Sequence, residues 1–481
     1  MRAWLGVALL AFVGSAAAHG FGRLYNLPVP FWLYGWAASA VLVVSFVLVA
    51  WFASNPVSAA STSRLLPARW VGWMQWLRRP LQGLSLALLL LCLATAWFGS
   101  RDPYRNFSMT FFWVVFLLGF TYVTALLGNG WAVLNPWRVL VGLLSRGWRG
   151  FAHGRLHYRE HWGDRPAVVL YLGFIWFELF GLGRPGQLAQ MLTLYTALNL
   201  FGVWLIGSRA WFAHGELFSV FLRLTGLMGM VHRAEVDGVQ RVLWRRPFSG
   251  LLHARPLHLS TVVFALAMLS TTAFDGLRAT QWWVFLFWFD TSGWLTPLLG
   301  ERPILLYAEL RPWYIGWETL VLLASPFVYL AAYLLTIVLA RALTGSTRSV
   351  RDLALDFGYS LLPIALVYHV THYSTLLLTQ GLKIVSLVSD PFGWRWDLFG
   401  TAKLLRAPIL PDMDWVWHSQ VGLILLGHIV SVVVAHRIAL RVFPTRRAAI
   451  ASQLPMLLLM VAFTVAGLWI IAQPLTDERM M

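Results

Sequence analysis

Charge is what this chain has least of. Only 12% of its 481 residues are Asp, Glu, Lys or Arg, against about 25% in an ordinary soluble domain. That is too little polar surface to face water on every side, and lipid is the natural solvent for the remainder. Cysteine is nearly absent: Cys92 stands alone in an apolar run, which excludes a disulfide framework and a cysteine-based metal site. No glycine-rich phosphate loop, dinucleotide fingerprint or GxSxG elbow occurs. No polar stretch is long enough for a separate soluble domain. Acids are scarcer than bases, 20 against 37, for a net charge of +17. In a soluble protein that excess would point to nucleic acid, but the positions of the charges point to a membrane.

What is present is apolar and periodic. Hydrophobic residues make up 59% of the chain, and the mean hydropathy is +0.67. Apolar runs near the ~20 residues that a bilayer core demands fall at 31–53, 82–99, 109–128, 166–183, 189–208, 258–273, 314–340, 353–380, 416–437 and 451–472. Every second connection between them is rich in arginine. The basic connections include Arg64 to Arg79, Arg138 to Arg165, Arg209 to Arg255, Arg341 to Arg351 and Arg437 to Arg447, which together hold 24 of the 37 Lys and Arg. Cationic loops resist translocation, so these are expected on the cytoplasmic side. The fold expected is an all-α, polytopic transmembrane helical bundle of about ten transmembrane helices. Trp32, Trp36, Trp131, Trp137, Trp313, Trp317, Trp415 and Trp417 lie near the predicted helix ends, as an interfacial belt would.

The first residues read as a secretory signal. Arg2 precedes the apolar stretch Ala3–Val13, and the small residues Ala16-Ala17-Ala18 precede His19. Cleavage after Ala18 would remove residues 1–18 and leave residues 19–481 as one transmembrane domain with both termini outside. An uncleaved first helix is the alternative. The basic connections 129–165 and 209–257 fit amphipathic helices on the membrane surface. Two connections on the opposite side stand out. Residues 274–313 contain the run Gln281–Phe289, too short to span and read as a re-entrant or interfacial helix. Residues 386–415 carry Asp390, Asp397, Asp412 and Asp414 among aromatics, a candidate lid over a site.

The 13 histidines divide by place. His153, His157, His161, His214, His232 and His253 fall among basic-side arginines, and His258 and His436 at helix ends. His369 and His372 in the eighth span share a helix face by their i, i+3 spacing. His428 in the ninth span lies at a depth close to that of His369, so His369, His372 and His428 form a possible set for a divalent metal ion such as Zn, Mn or Cu. His418 lies about 15 Å further out along the axis. Glu178, in the fourth span (FIWFELF), is an intramembrane acid of the kind that faces a polar interior, with Asn199 a candidate neighbour. His19, if it becomes the first residue, could chelate copper through its amine and imidazole. The bland reading of the embedded histidines is interhelical hydrogen bonding.

Several strings then resemble a known family: Ala18-His19-Gly20-Phe21-Gly22, Asn26-Leu27-Pro28-Val29-Pro30, Leu134-Asn135-Pro136-Trp137-Arg138, Ser270-Thr271-Thr272-Ala273-Phe274-Asp275-Gly276, His372-Tyr373, Ser389-Asp390-Pro391-Phe392-Gly393, Trp396-Asp397-Leu398-Phe399-Gly400-Thr401-Ala402, Gln420-Val421-Gly422 and Gly427-His428. From His19 to about His436 the chain resembles bacterial polytopic membrane proteins commonly labelled fenitrothion hydrolase. The resemblance implies an inner-membrane hydrolase of organophosphorus esters. It places emphasis on His19, Asp275, His372, Asp390, Asp397 and His428, and favours His372 with His428 over the three-histidine set.

Three functions are therefore expected in order. The first is a metal-dependent hydrolase with an outward-facing site, in which His372, His428, His369 or His19 hold the ion. Asp390, Asp397, Asp275 and Glu178 supply acid–base chemistry, and a small apolar aryl ester enters from the lipid. The second is a transporter or copper-handling protein without bond chemistry. The third is an assembly partner for another membrane enzyme.

Overall fold

The computed structural model describes residues 30–52, 63–236, 239–407, 409 and 412–473. The predicted signal segment and His19 lie outside the described residues. Long apolar helices dominate because a chain in lipid must satisfy its backbone hydrogen bonds within each segment. They are α1 (Phe31–Phe52), α2 (Ala68–Phe98), α3 (Phe107–Leu127), α4 (Arg165–Phe180), α5 (Pro185–Ile206), α6 (Leu259–Arg278), α7 (Tyr307–Thr344), α8 (Leu362–Gln380), α9 (Met413–Val442) and α10 (Arg446–Ala472). Among the described residues, nine helical segments are long and apolar enough to cross a membrane. The exception is α4, whose 16 residues fall about four short of the ~20 a bilayer core requires. The chain is an all-α, multi-pass membrane bundle.

The contacts sort the connections into two ends. At one end, the guanidinium of Arg446 at the start of α10 donates to Trp51 O at the end of α1, at 2.9 Å. There too Arg255 pairs with Asp356 at 2.8 Å, and His214 with Asp164 at 2.8 Å. This is the arginine-rich end. At the opposite end, Ser100 N donates to Phe392 O at 2.7 Å, Arg278 to Leu179 O at 3.0 Å, and Tyr34 packs on Trp417 with ring centroids 5.2 Å apart.

The basic end is more elaborate than surface helices alone. Pro136–Gly147 is a helix with Pro136 at its start, capped by Asn135, whose Oδ1 accepts from Arg138 N. The 209–257 connection instead forms a nine-residue helix, Leu217–Thr225, and two strands. Every residue of that helix except Arg223 is buried, so it enters the bundle rather than lying on it. The carboxylate of Glu216 caps it, accepting from Phe218 N at 3.0 Å and Ser219 N at 2.7 Å, and also from Asn135 Nδ2 at 2.9 Å and from the Tyr195 hydroxyl. Strands β1 (Ser63–Leu65), β2 (Val231–Val236) and β3 (Val239–Arg245) form an antiparallel sheet in the order β1-β3-β2, with Arg64 opposite Trp244 and His232 opposite Leu243. Arg245 closes it, donating to the carbonyls of Gly226, Leu227 and Gly229 at 2.8–2.9 Å.

The helix that carries the histidines, α8, is seated closely. It packs on α6, on α9 and on the middle of α3. Gly427 of α9 leaves room for Val367, and Gly467 of α10 leaves room for the Tyr368 ring; a methyl group at either would collide. Small residues of this kind let membrane helices approach without a hydrophobic driving force between them. Facing α8, α3 widens into π-type hydrogen bonding over the 11 residues Thr110–Phe120, a geometry found often at functional sites.

Candidate functional site: an acid–tyrosine–histidine chain between two cavities

Three helices bring one polar face together in the half of the bundle away from the basic end. On α4, Tyr171, Phe174, Ile175 and Glu178 recur at helical spacing and form one stripe. On α6, Thr271 and Asp275 stand one turn apart. On α8, His369 and Tyr373 stand one turn apart, with His372 beside them. Gly276, next to Asp275, admits Ile470 of α10, whose Cγ2 would lie 3.0 Å from a Cβ there, while the His372 ring would be in ordinary contact at 3.9 Å.

The polar groups form a chain. His372 Nε2 lies 2.7 Å from Asp275 Oδ2. The Tyr373 hydroxyl lies 3.2 Å from the same Asp275 oxygen and 3.2 Å from Glu178 Oε1. Beneath it the Tyr171 and Thr271 hydroxyls are 3.2 Å apart. Asp275 is buried and the His372 side chain is 28% exposed, so the hydrogen-bonded pair is partly open on its histidine side.

Two cavities meet at this chain. The larger, with about 110 Å³ of room for the centres of water-sized molecules, opens at the end opposite the arginines. Its walls include Tyr104, Trp113, Phe177, Arg184, Gln187 and Gln380. The smaller, about 20 Å³ by the same measure and so room for roughly one water, lies deeper and is lined by Tyr171, Thr271, Asp275 and His369, with Phe218 and Phe221 of the inserted helix closing its far side. Leu117, Glu178 and Tyr373 line both cavities, so they form the partition. His369 projects into the lower cavity, its ring centroid 5.0 Å from that of Tyr373 and 5.8 Å from that of Tyr122. Its Nδ1 has no hydrogen-bond partner among the described residues.

The other residues singled out in the sequence fall elsewhere. His428 is fully buried in α9, its Nδ1–H donating to Ile424 O at 2.8 Å and its ring against Tyr368. It does not join His369 and His372. Among the described residues no three His, Cys, Asp or Glu side chains converge closely enough to hold a metal ion, so the His369/His372/His428 set is not assembled. The described donors of the site, His372 and Asp275, are one pair and fall short of the three protein ligands usual for catalytic zinc. Asp390 accepts from Trp394 N and Arg395 N, each at 2.9 Å, and Asp397 from Ala402 N at 2.9 Å. Ser389 joins them by accepting from Phe399 N at 3.2 Å. The two acidic strings are thus one folded loop, with Asp390 and Asp397 as its anchors and not aimed into the cavities. Asn199 holds Trp211, accepting from its Nε1 at 2.8 Å, and is not a neighbour of Glu178 in this chain.

Tyr373, which joins the acids, was visible in the sequence only as the residue after His372. Arg184, on the cavity wall, carried no signal beyond an isolated charge. A further buried acid at the basic end, Asp164, binds His214, Arg223 at 3.0 Å and Thr261 at 2.6 Å. It follows no sequence pattern, because its partners come from three separate segments. Compared with known protein families, characterised proteins and solved structures, the chain finds no match, and its function is read from this geometry.

Proposed function

We propose that this is a bacterial inner-membrane enzyme, with its arginine-rich end in the cytoplasm, that hydrolyses a small apolar aryl ester, an organophosphorus ester by its resemblance, in the outward-opening cavity. The observation that supports the reading is the Glu178–Tyr373–Asp275–His372 chain, whose Glu178 and Tyr373 members line the floor of an aromatic-walled cavity with Asp275 and His372 behind them. Intramembrane ionisable groups are costly and face functional interiors, and apolar pockets with a few convergent polar groups are the usual form of a small-molecule site. An aryl ester would place its ring among Trp113, Phe177 and Tyr104 and its reacting centre at the floor. A water there would lose a proton to the Tyr373 oxygen as Tyr373 passes its own to Asp275. His372 would balance the charge on Asp275, and Glu178 would protonate the departing aryl oxide. No step runs through a metal ion, since the described donor set does not fit one.

The test is hydrolysis of a neutral aryl phosphotriester by the purified protein in lipid nanodiscs. Acid–base catalysis contributes about 100-fold or more, so Asp275→Asn should lose activity by that factor while keeping its melting temperature. Wild type without activity on any aryl ester would end the hydrolytic reading. The lower cavity favours a second reading, transport. A gated partition between two cavities is what a translocation path needs, and uptake of the intact aryl compound into proteoliposomes would support it.

A further inference from the structure

The mouth of the larger cavity carries hydrogen-bond donors for which the described residues supply no acceptor. Arg184, between α4 and α5, lines the cavity and is exposed. Its guanidinium has five N–H donors and no acceptor, and it makes no ion pair or side-chain hydrogen bond among the described residues. Gln187, in the first turn of α5, lines the same wall. Its Oε1 accepts from Leu182 N at 2.7 Å, so what it has left for the cavity is the two hydrogens of its amide. Gln380, the last residue of α8, also lines the cavity and is only 8% exposed. Its carboxamide has no hydrogen-bond partner among the described residues. Buried amides are nearly always satisfied, so an unpartnered one on a cavity wall points to a group that enters the cavity. Three residues on, Lys383 has its Nζ 4.7 Å from the centroid of the Tyr104 ring, which belongs to the same wall. Asp102, the acid of that segment, is engaged by its own main chain, its Oδ1 accepting from Tyr104 N at 2.9 Å.

Donors at the mouth and acids at the floor set the direction of a ligand. Tyr373 precedes Gln380 by seven residues on α8, so the floor lies about 10 Å deeper along the axis, with Glu178 and Asp275 each 3.2 Å from the Tyr373 hydroxyl. A negative head is best placed away from those acids and against Arg184. Between mouth and floor the walls include Trp113, Phe177 and Leu376, which suit an aromatic ring. The room, about 110 Å³, is that of roughly eight waters. It matches one ring with a small substituent and is too little for a lipid with two acyl chains. We infer that Arg184, Gln187 and Gln380 form an oxyanion site that holds a small aromatic carboxylate, its charge at the mouth and its ring inward. The planar guanidinium fork meets a carboxylate with two parallel hydrogen bonds, and the glutamine amides donate to the remaining lone pairs. The inference adds to the hydrolytic reading an anionic group on the ring of the ester, remote from the reacting bond, but binding at this site needs no hydrolysis.

The probes are 4-fluorobenzoate and its uncharged isostere 4-fluorobenzamide. Each is titrated with the full-length protein in nanodiscs of a zwitterionic phospholipid, against empty nanodiscs, and binding is read from the broadening of the fluorine NMR line. Wild type should bind the benzoate about tenfold more tightly than the benzamide, the margin of hydrogen bonds to a charged over a neutral group. Arg184→Gln should weaken the benzoate about fivefold, the upper range for one exposed ion pair, and leave the benzamide unchanged. Gln380→Leu, which keeps the bulk and removes the donors, should weaken the benzoate about tenfold. Equal affinity of wild type for the two probes, benzoate binding unchanged in either variant, or no binding beyond that of empty nanodiscs would each overturn the inference. Arg184 is exposed, so its variant tests the site even if Gln380→Leu lowers the melting temperature. Nanodiscs containing an anionic phospholipid should still bind the benzoate; its complete displacement there would assign the donors to a lipid headgroup and overturn the aromatic ligand. Benzoate binding as expected with no hydrolysis of any aryl ester would overturn the hydrolytic reading and leave this site standing, and hydrolysis of the neutral phosphotriester with equal binding of the two probes would do the reverse.

Discussion

At the scale of single residues, the acids of this chain differ by what they accept. Asp275 faces a histidine and a tyrosine beside a cavity. Asp390 accepts two main-chain N–H groups, and Asp397 one, inside a loop. Removing the acceptor at 390 leaves two donors unpaired in a half-buried loop, at about 1–3 kcal/mol. Asp390→Ala should therefore lower the melting temperature and speed proteolysis within residues 390–407, yet hydrolyse an aryl phosphotriester as wild type does; lost hydrolysis at an unchanged melting temperature would instead make Asp390 part of the site. The turn chemistry was legible, since an Asp followed by Pro and Gly accepts from its own loop, but an acid in an outer loop was read as a lid. Asp164 makes a different prediction. Burial pushes its carboxyl up, but hydrogen bonds from His214 and Thr261 and the charge of Arg223 outweigh that and hold it below the ordinary carboxylate value. A depressed folded-state value stabilises the fold fully above the unfolded value of about 4 and loses that contribution as pH falls through the folded value. Melting at a series of pH values should show Asp164→Asn less stable than wild type near neutrality, with the gap narrowing below about pH 4. A constant gap would mean that the carboxylate charge is not what stabilises the fold.

At the scale of elements, legibility followed length. Nine of the ten apolar runs fall in helical segments long and apolar enough to span, because hydropathy sums over twenty residues and the bilayer demands that sum, while the run 166–183 yields the shorter α4. In 209–257 surface helices were expected, but the burial of Leu217–Thr225 was not legible: six apolar residues in nine, among arginines, are too few to mark a helix that enters the bundle. The pairing of β2 with β3 has a sequence signal, Asp237-Gly238 between alternating residues. The π-helical stretch of α3 had none, since its run of apolar residues has no period to mark it. The three-histidine set failed on rotation rather than depth. A helix turns 100° per residue, and His428 faces Tyr368 and its own Ile424 carbonyl. The inserted helix depends on Glu216. Glu216→Ala leaves Asn135, Tyr195 and two backbone N–H groups without their acceptor, which costs at least about 3 kcal/mol. Glu216→Gln, keeping one acceptor oxygen, should cost less. Thermal unfolding should rank wild type above Gln above Ala; equal stability of Gln and wild type would show that the charge itself contributes nothing to the cap.

At the scale of the whole molecule, the argument turns on which end faces out. The loops tied together at one end, through Arg446 to Trp51, Arg255 to Asp356 and His214 to Asp164, are the same loops that hold most of the arginines. A bundle that gathers them at one end satisfies the charge rule only with that end in the cytoplasm. On that placement the large cavity opens outward, and under the proposed function an aryl compound would reach it from outside or from the outer leaflet. The short α4 fits this placement: it ends two residues past Glu178, and its 16 residues are about four fewer than a bilayer core requires. Because Cys92 is the only cysteine and is buried, a Cys92→Ser background allows single reporters. Thr291→Cys, exposed at the end with the cavity mouth, should react with a membrane-impermeant maleimide on intact spheroplasts. His157→Cys, exposed at the basic end, should react only after the membrane is opened. The reversed pattern would turn the cavity toward the cytoplasm, remove the outward-facing enzyme, and make the arginine distribution a consequence of something other than topology.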